Sequence, residues 1–237
     1  MIRAPGASHP KLFSGFQACV PRLRDAAGRK TTMSMNELSV REFADALAAK
    51  SSVPGGGGAS ALVAALGTAL GSMVGNFTLG KKKYADVEPD ILRLMDEARQ
   101  IQTELLGCID EDAAAFEPLS KAYGIPKDAP GRDETLEKCL RDAAAVPMKI
   151  LELACRGIAL QQEFAEKGSV MMVSDAGTGV AFCKSALLGA AVNVKVNTKL
   201  MADKAYSGEM NARVDELVAK YSEAADAVFA SVYGRFC

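Results

Sequence analysis

The chain has 237 residues, a formal net charge of −1 and a single histidine, His9. That balance gives no basic footprint for nucleic acid. One histidine argues against a His triad, a His-rich zinc site or a His base, leaving acid–base work to Asp, Glu, Lys, Tyr, Cys or amide-held water. Apolar residues make up 49% and aromatics 6%, with no tryptophan, a composition that suits closely packed helices.

Residues 1–35 differ from the rest. Their first 34 carry six Lys/Arg against one acid, with three prolines and no sustained period. They are read as a dispensable, disordered extension, with a basic transit peptide as the other reading; Met33 and Met35 offer later starts. The folded domain, 36–237, opens on "NELSVREF", where Ser39 and Glu42 fit a capping box and Leu38 and Phe43 a hydrophobic staple. A first helix follows over about Val40 to Lys50.

A run from Ser51 to Gly80 has no charged residue. Its start, "SSVPGGGG", reads as a loop, and helix two runs from about Ala59 to Leu79 with Gly80 as its C′ residue. Gly67, Gly71 and Gly75 recur at i, i+4, i+8. Each glycine costs about 1 kcal/mol in a helix relative to Ala, so a neighbouring backbone must come close there. The run is long enough to cross a bilayer. It is read instead as a central helix buried on all sides, because it is only moderately hydrophobic and no second segment of that kind is read in the chain.

Helix three covers about Glu88 to Ala122. Helix four covers about Asp133 to Glu166 and should kink or restart at Pro147. Helix five runs from about Ala176 to Asp203, and a last helix from about Ser207 to Tyr233. The period is near 3.6 almost throughout. The expected architecture is therefore all-α: a single-domain bundle of about six helices around the long, buried, glycine-faced helix two. The six cysteines, at 19, 108, 139, 155, 183 and 237, lack metal-site spacing. They are read as reduced thiols in a cytoplasmic protein, with no metal site.

Four groups are candidates for chemistry, each with a structural reading beside it. Gly55 to Gly58 precede a helix N-terminus, where free N–H groups favour an anion, or they form a plain turn. Lys81, Lys82 and Lys83 can bind an anion, or merely complement the helix dipole. Asp112 falls on the apolar stripe of helix three with Leu105, Ile109 and Phe116. It is either paired with a lysine of a neighbouring helix or a site carboxylate whose pKa is raised by burial. Asn193 and Asn197, one turn apart on helix five, can meet the edge of a heterocycle or bond between helices. Asp175 is most simply an N-cap.

The motifs "PGGGGASALVAALGTALGSMVGNFTLGKKKY", "DEDAAAF", "SDAG" and "AAVNVKVN", in that order, resemble the formiminotransferase-cyclodeaminase C-terminal family, which includes stand-alone bacterial methenyltetrahydrofolate cyclohydrolases. The resemblance covers about 36–236. It implies an all-α homodimer acting on folate one-carbon adducts, without a cofactor beyond the tetrahydrofolate substrate and without nucleic acid or membrane as partner. With no formiminotransferase domain attached, the cyclohydrolase is the expected activity, the formimidoyltetrahydrofolate cyclodeaminase its alternative, and a non-catalytic folate-binding protein the second alternative. The resemblance carries Asp112 and Lys83 as catalytic residues. It carries Pro54, Gly55, Gly56, Gly57, Gly58, Lys81, Lys82, Tyr84, Asp175, Asn193 and Asn197 as substrate contacts.

Overall fold

The structure, a computed structural model, describes residues 34–237 and, before them, the backbone of 22–24 and 30–32. The expectation of a disordered extension falls mostly outside the described residues. Within it, strand β1 (Arg22–Arg24) pairs antiparallel with β2 (Lys30–Thr32), a short ribbon the helical periodicity did not announce. The helical body begins slightly earlier than expected. The Met35 amide donates to Asp110 Oδ1 at 2.7 Å, the Ser34 hydroxyl donates to Oδ2 of the same carboxylate, and Met35 is buried.

Six helices follow: α1 (Val40–Ala48), α2 (Gly56–Asn76), α3 (Glu88–Ala122), α4 (Arg132–Lys167), α5 (Val173–Thr198) and α6 (Lys204–Tyr233). The body is all-α. The capping box at α1 is formed in both directions: the Glu42 amide donates to Ser39 Oγ at 3.2 Å, and the Ser39 amide to Glu42 Oε2 at 2.9 Å. Phe43 enters the core with Leu38 packed against it, as a staple requires. Pro147 does not restart the helix, since α4 runs unbroken through it.

At the centre, α2 and α5 lie antiparallel. Positions Gly56, Ser60 and Gly67 on α2 face Asn193, Gly189 and Cys183 on α5. The glycine face of α2 is used within the chain. A Cβ at Gly67 would lie 2.8 Å from the Gly179 carbonyl oxygen, and one at Gly71 2.8 Å from Gln161 Nε2. Both helices can approach so closely only without side chains there. Gly67→Ala is therefore expected to lower the unfolding free energy by about 1–2 kcal/mol in urea, because the obstructing atom is backbone and overpacking outweighs the helix-propensity gain. Gly208→Ala, exposed in α6 with open space around it, should instead gain up to about 1 kcal/mol. A Gly67→Ala midpoint at or above wild type would show that the two helices can part freely.

Burial of α2 on all sides is also corrected. Packed by α3, α4 and α5, it leaves Leu66 and Met73 at 49% and 39% exposure, and its C-cap Phe77 at 48%. Nor is α2 alone in its apolarity. Gly56–Asn76 and Val170–Thr198 are both long and apolar enough to cross a membrane, and 56% and 44% of their most apolar windows are buried inside the protein.

Candidate active site at the amino end of α2

The first turn of α2 is made of the glycines that the sequence suggested were a loop. Gly55 is the N-cap and Gly56, Gly57 and Gly58 are helical, with no side-chain cap from Gly55. The cap comes from another helix. Asp112 on α3 accepts the Gly58 N–H at 3.1 Å, a carboxylate on the positive end of the α2 dipole. Glycine is required for this approach: a Cβ at Gly57 would overlap the Asp112 carboxylate, and one at Gly56 would lie 2.9 Å from Asn193 Nδ2. The Val53–Pro54 peptide is cis, and Pro54 is buried beneath the glycine turn.

Asp112, Asn193 and Asn197 line one hollow of about 180 Å³ together with Gly55, Gly56 and Gly57. Asp112 is half-buried, and burial pushes its carboxyl above the ordinary carboxylate value, against a smaller lowering by the Gly58 N–H. No cation pairs with it among the described residues, so the lysine-paired reading fails. Asn193 donates to the Gly189 carbonyl at 2.8 Å. Asn197 donates to the carbonyls of Ala143 and Asn193, both at 3.0 Å. Asn197 thus makes two donations inside the protein and Asn193 one, and the Oδ1 of each has no partner among the described residues and is left as an acceptor. The Gly56 and Gly57 N–H groups have no partner among the described residues. The hollow therefore offers a carboxylate and two amide oxygens to a cation or to N–H donors, and two backbone N–H groups to a carbonyl or an anion.

Phe116, Pro147, Ala143 and Val196 also line the hollow and were not singled out from the sequence as site residues. Pro147 did carry a signal. A helical proline has no N–H, so the carbonyl four residues back, Ala143, is left without its ladder bond. Asn197 takes that carbonyl.

The remaining expected residues are elsewhere. Lys81, Lys82 and Lys83 are exposed beyond the carboxyl end of α2. With about 1.5 Å of rise per residue, the 21 residues of α2 put them about 30 Å from Gly56. Tyr84 accepts the Val170 N–H at 3.1 Å, a bond that holds its hydroxyl pKa below the ordinary value. Asp175 is at that same end. It is the third residue of α5, whose N-cap is Met172, so the N-cap reading is corrected to a first-turn acid near the helix dipole. The expected single site is thus two groups at opposite ends of α2. Among the described residues no group of three or more His, Cys, Asp or Glu is placed to hold a metal.

The sequence model of the family described as formiminotransferase-cyclodeaminase matches residues 39–216. A methenyltetrahydrofolate cyclohydrolase from Methylorubrum extorquens is 35% identical over 207 residues, covering 86% of this chain and 99% of that protein. The formimidoyltransferase-cyclodeaminase of Mus musculus is 32% identical over 206 residues, covering 85% of this chain and 38% of that longer protein. The crystal structure of formiminotetrahydrofolate cyclodeaminase from Thermotoga maritima has the same fold, with a TM-score of 0.79 and 30% identity, covering 86% of this chain and all of that one.

Proposed function

The chain belongs to the formiminotransferase-cyclodeaminase family, and from that membership we propose that it catalyses the hydrolytic interconversion of 5,10-methenyltetrahydrofolate and 10-formyltetrahydrofolate. One observation carries the assignment to the site. A desolvated, unpaired carboxylate, Asp112, converges with two amide oxygens at a helix N-terminus in one hollow.

The methenyl carbon bridges two nitrogens in an amidinium-like cation. Asp112 stabilises that cation and, as general base, removes the proton from the water that attacks it. A carboxyl raised above its ordinary value by burial is a stronger base for that transfer than an exposed one. The tetrahedral adduct then opens at its bond to N5, leaving the formyl group on N10 and releasing one proton. Asn193 and Asn197 accept N–H groups of the pterin edge, while the Gly56 and Gly57 amides take its carbonyl or a carboxylate. The balance closes with substrate, water and Asp112. The cysteines with resolved pKa values are poor nucleophiles, since burial pushes Cys108 to about 11 and Cys155 and Cys183 to about 12. The described thiols are all free, which fits a soluble, cytoplasmic setting.

Release of ammonia from 5-formimidoyltetrahydrofolate is the second reading, favoured by the fold match to a solved cyclodeaminase. Purified protein is expected to bleach methenyltetrahydrofolate absorbance well above the spontaneous rate and to release no ammonia from the formimidoyl compound. Ammonia release would transfer the assignment to the deaminase. Tight folate binding without acceleration of either reaction would leave a binding protein.

A further inference from the structure

Where α2 meets α5 beside the hollow, two matched turns face each other. On α2 the Ser60 hydroxyl donates back to the Gly56 carbonyl at 2.7 Å. On α5 the Asn193 amide donates back to the Gly189 carbonyl at 2.8 Å. The helices are antiparallel, and each turn lays its side chain over the other's glycine. A Cβ at Gly56 would lie 2.9 Å from Asn193 Nδ2, and one at Gly189 would lie 2.5 Å from Ser60 Oγ. Ser60 is buried, so its hydroxyl bond is shielded from water. A serine bonded back in this way slightly weakens a helix, so stability does not explain it.

The peptide that Ser60 holds is the informative part. A trans peptide keeps its C=O and N–H in one plane, pointing opposite ways. The unit that carries the Gly56 carbonyl also carries the Gly57 N–H, which has no partner among the described residues, and Gly57 lines the hollow. Fixing the carbonyl therefore fixes the direction of that donor. It also strengthens the donor, because a peptide whose carbonyl accepts a hydrogen bond is polarised by it. A turn of consecutive glycines needs such restraint, since each has wide backbone freedom. Two side chains supply it: Asp112 on the Gly58 N–H and Ser60 on the Gly56 carbonyl. On the facing turn, Asn193 Oδ1 is left as an acceptor.

We propose that Ser60 is a positioning residue for the site. Its hydroxyl orients and polarises the Gly56–Gly57 peptide so that the Gly57 N–H and Asn193 Oδ1 together take a ligand edge that presents a carbonyl beside an N–H. In the folate reading, on which this assignment of the ligand rests, that edge belongs to the pterin ring. Ser60 itself touches no reacting atom.

Two substitutions and their combination test it. Ser60→Ala is expected to raise KM for methenyltetrahydrofolate and the Kd for tetrahydrofolate about three- to tenfold, the scale of one neutral hydrogen bond. kcat should stay nearly unchanged, and the pH profile should not move, since Asp112 keeps its bond to Gly58. Gly189→Ala should act alike. Its new methyl would meet only Ser60 within 4 Å and would turn the hydroxyl off the carbonyl. In the Ser60→Ala background the nearest atom left to that methyl is Cβ of residue 60, at 3.6 Å, so the double variant should bind as each single one does. Wild-type KM and Kd in Ser60→Ala, or losses that add in the double variant, overturn the proposal. A further readout is independent of folate. In protein labelled with 15N-glycine, the Gly57 amide resonance should move to lower 15N frequency in either single variant, and an unmoved resonance overturns the proposal equally. A wild type that binds no tetrahydrofolate overturns the folate reading instead, and the Gly57 resonance then still decides whether Ser60 holds the peptide.

Discussion

Asp112→Asn is expected to lower kcat by about 10²–10⁴-fold, the range of a lost general base, while leaving the fold intact. The substitution isolates the proton-accepting role because Asn Oδ1 can still accept the Gly58 N–H that Asp112 now takes. The stability change has a defined sign. Burial raises the carboxyl pKa in the folded state, so the unfolded chain releases this proton first as pH rises. Stability is therefore lost as pH climbs from the ordinary Asp value through the raised folded one, and the loss persists at neutral pH. Asp112→Asn should melt at or above wild type at pH 7, with the advantage vanishing below the ordinary Asp value. In wild type, kcat/KM for hydrolysis should rise with pH through a midpoint above the usual carboxylate range. A variant with near-wild-type turnover, or an acid limb at an unshifted carboxylate value, would remove Asp112 from the chemistry.

Gly57→Ala is expected to be as damaging to turnover, by a different route. The new methyl would occupy the space of the Asp112 carboxyl group. The side chain is short and can escape only by rotating away, which breaks the bond to Gly58 and withdraws the base from the hollow. Intrinsic helix propensity rises meanwhile by about 1 kcal/mol, so a far-ultraviolet spectrum and melting midpoint close to wild type should accompany activity near that of Asp112→Asn. A double variant should be scarcely worse than either single one, since both remove the same contact. Full activity in Gly57→Ala would mean that the carboxylate works from another position.

How much of this could be read from the residues depended on the range of the interaction. The α1 capping box is local, spanning Ser39 to Glu42, and was legible outright. So were the 3.6-residue stripes, and with them the inward placement of Asp112, Asn193 and Asn197, which needs only helical geometry. The start of α2 was misplaced because four glycines carry a poor local propensity. Tertiary contacts reverse it: the dipole end is capped from α3, and the missing side chains admit Asp112 and Asn193. The distance of the lysines from the glycine turn was not legible either. Gly55–Gly58 and Lys81–Lys83 flank one uncharged run, and a run of letters does not display its length as a rod. Once it is helical its two ends are about 30 Å apart, and no fold of the single chain can unite them.

The bond from Asn197 to the Ala143 carbonyl has a mechanical consequence. Pro147 opens one rung of the α4 ladder, and a side chain from α5 plugs it, so the two helices are pinned along their axes like a key in a slot. Sliding α5 by a single turn would strand that carbonyl among apolar groups and carry Asn193 away from Gly56 in the same stroke. The alignment of the two amides is thus built into the scaffold before any ligand arrives.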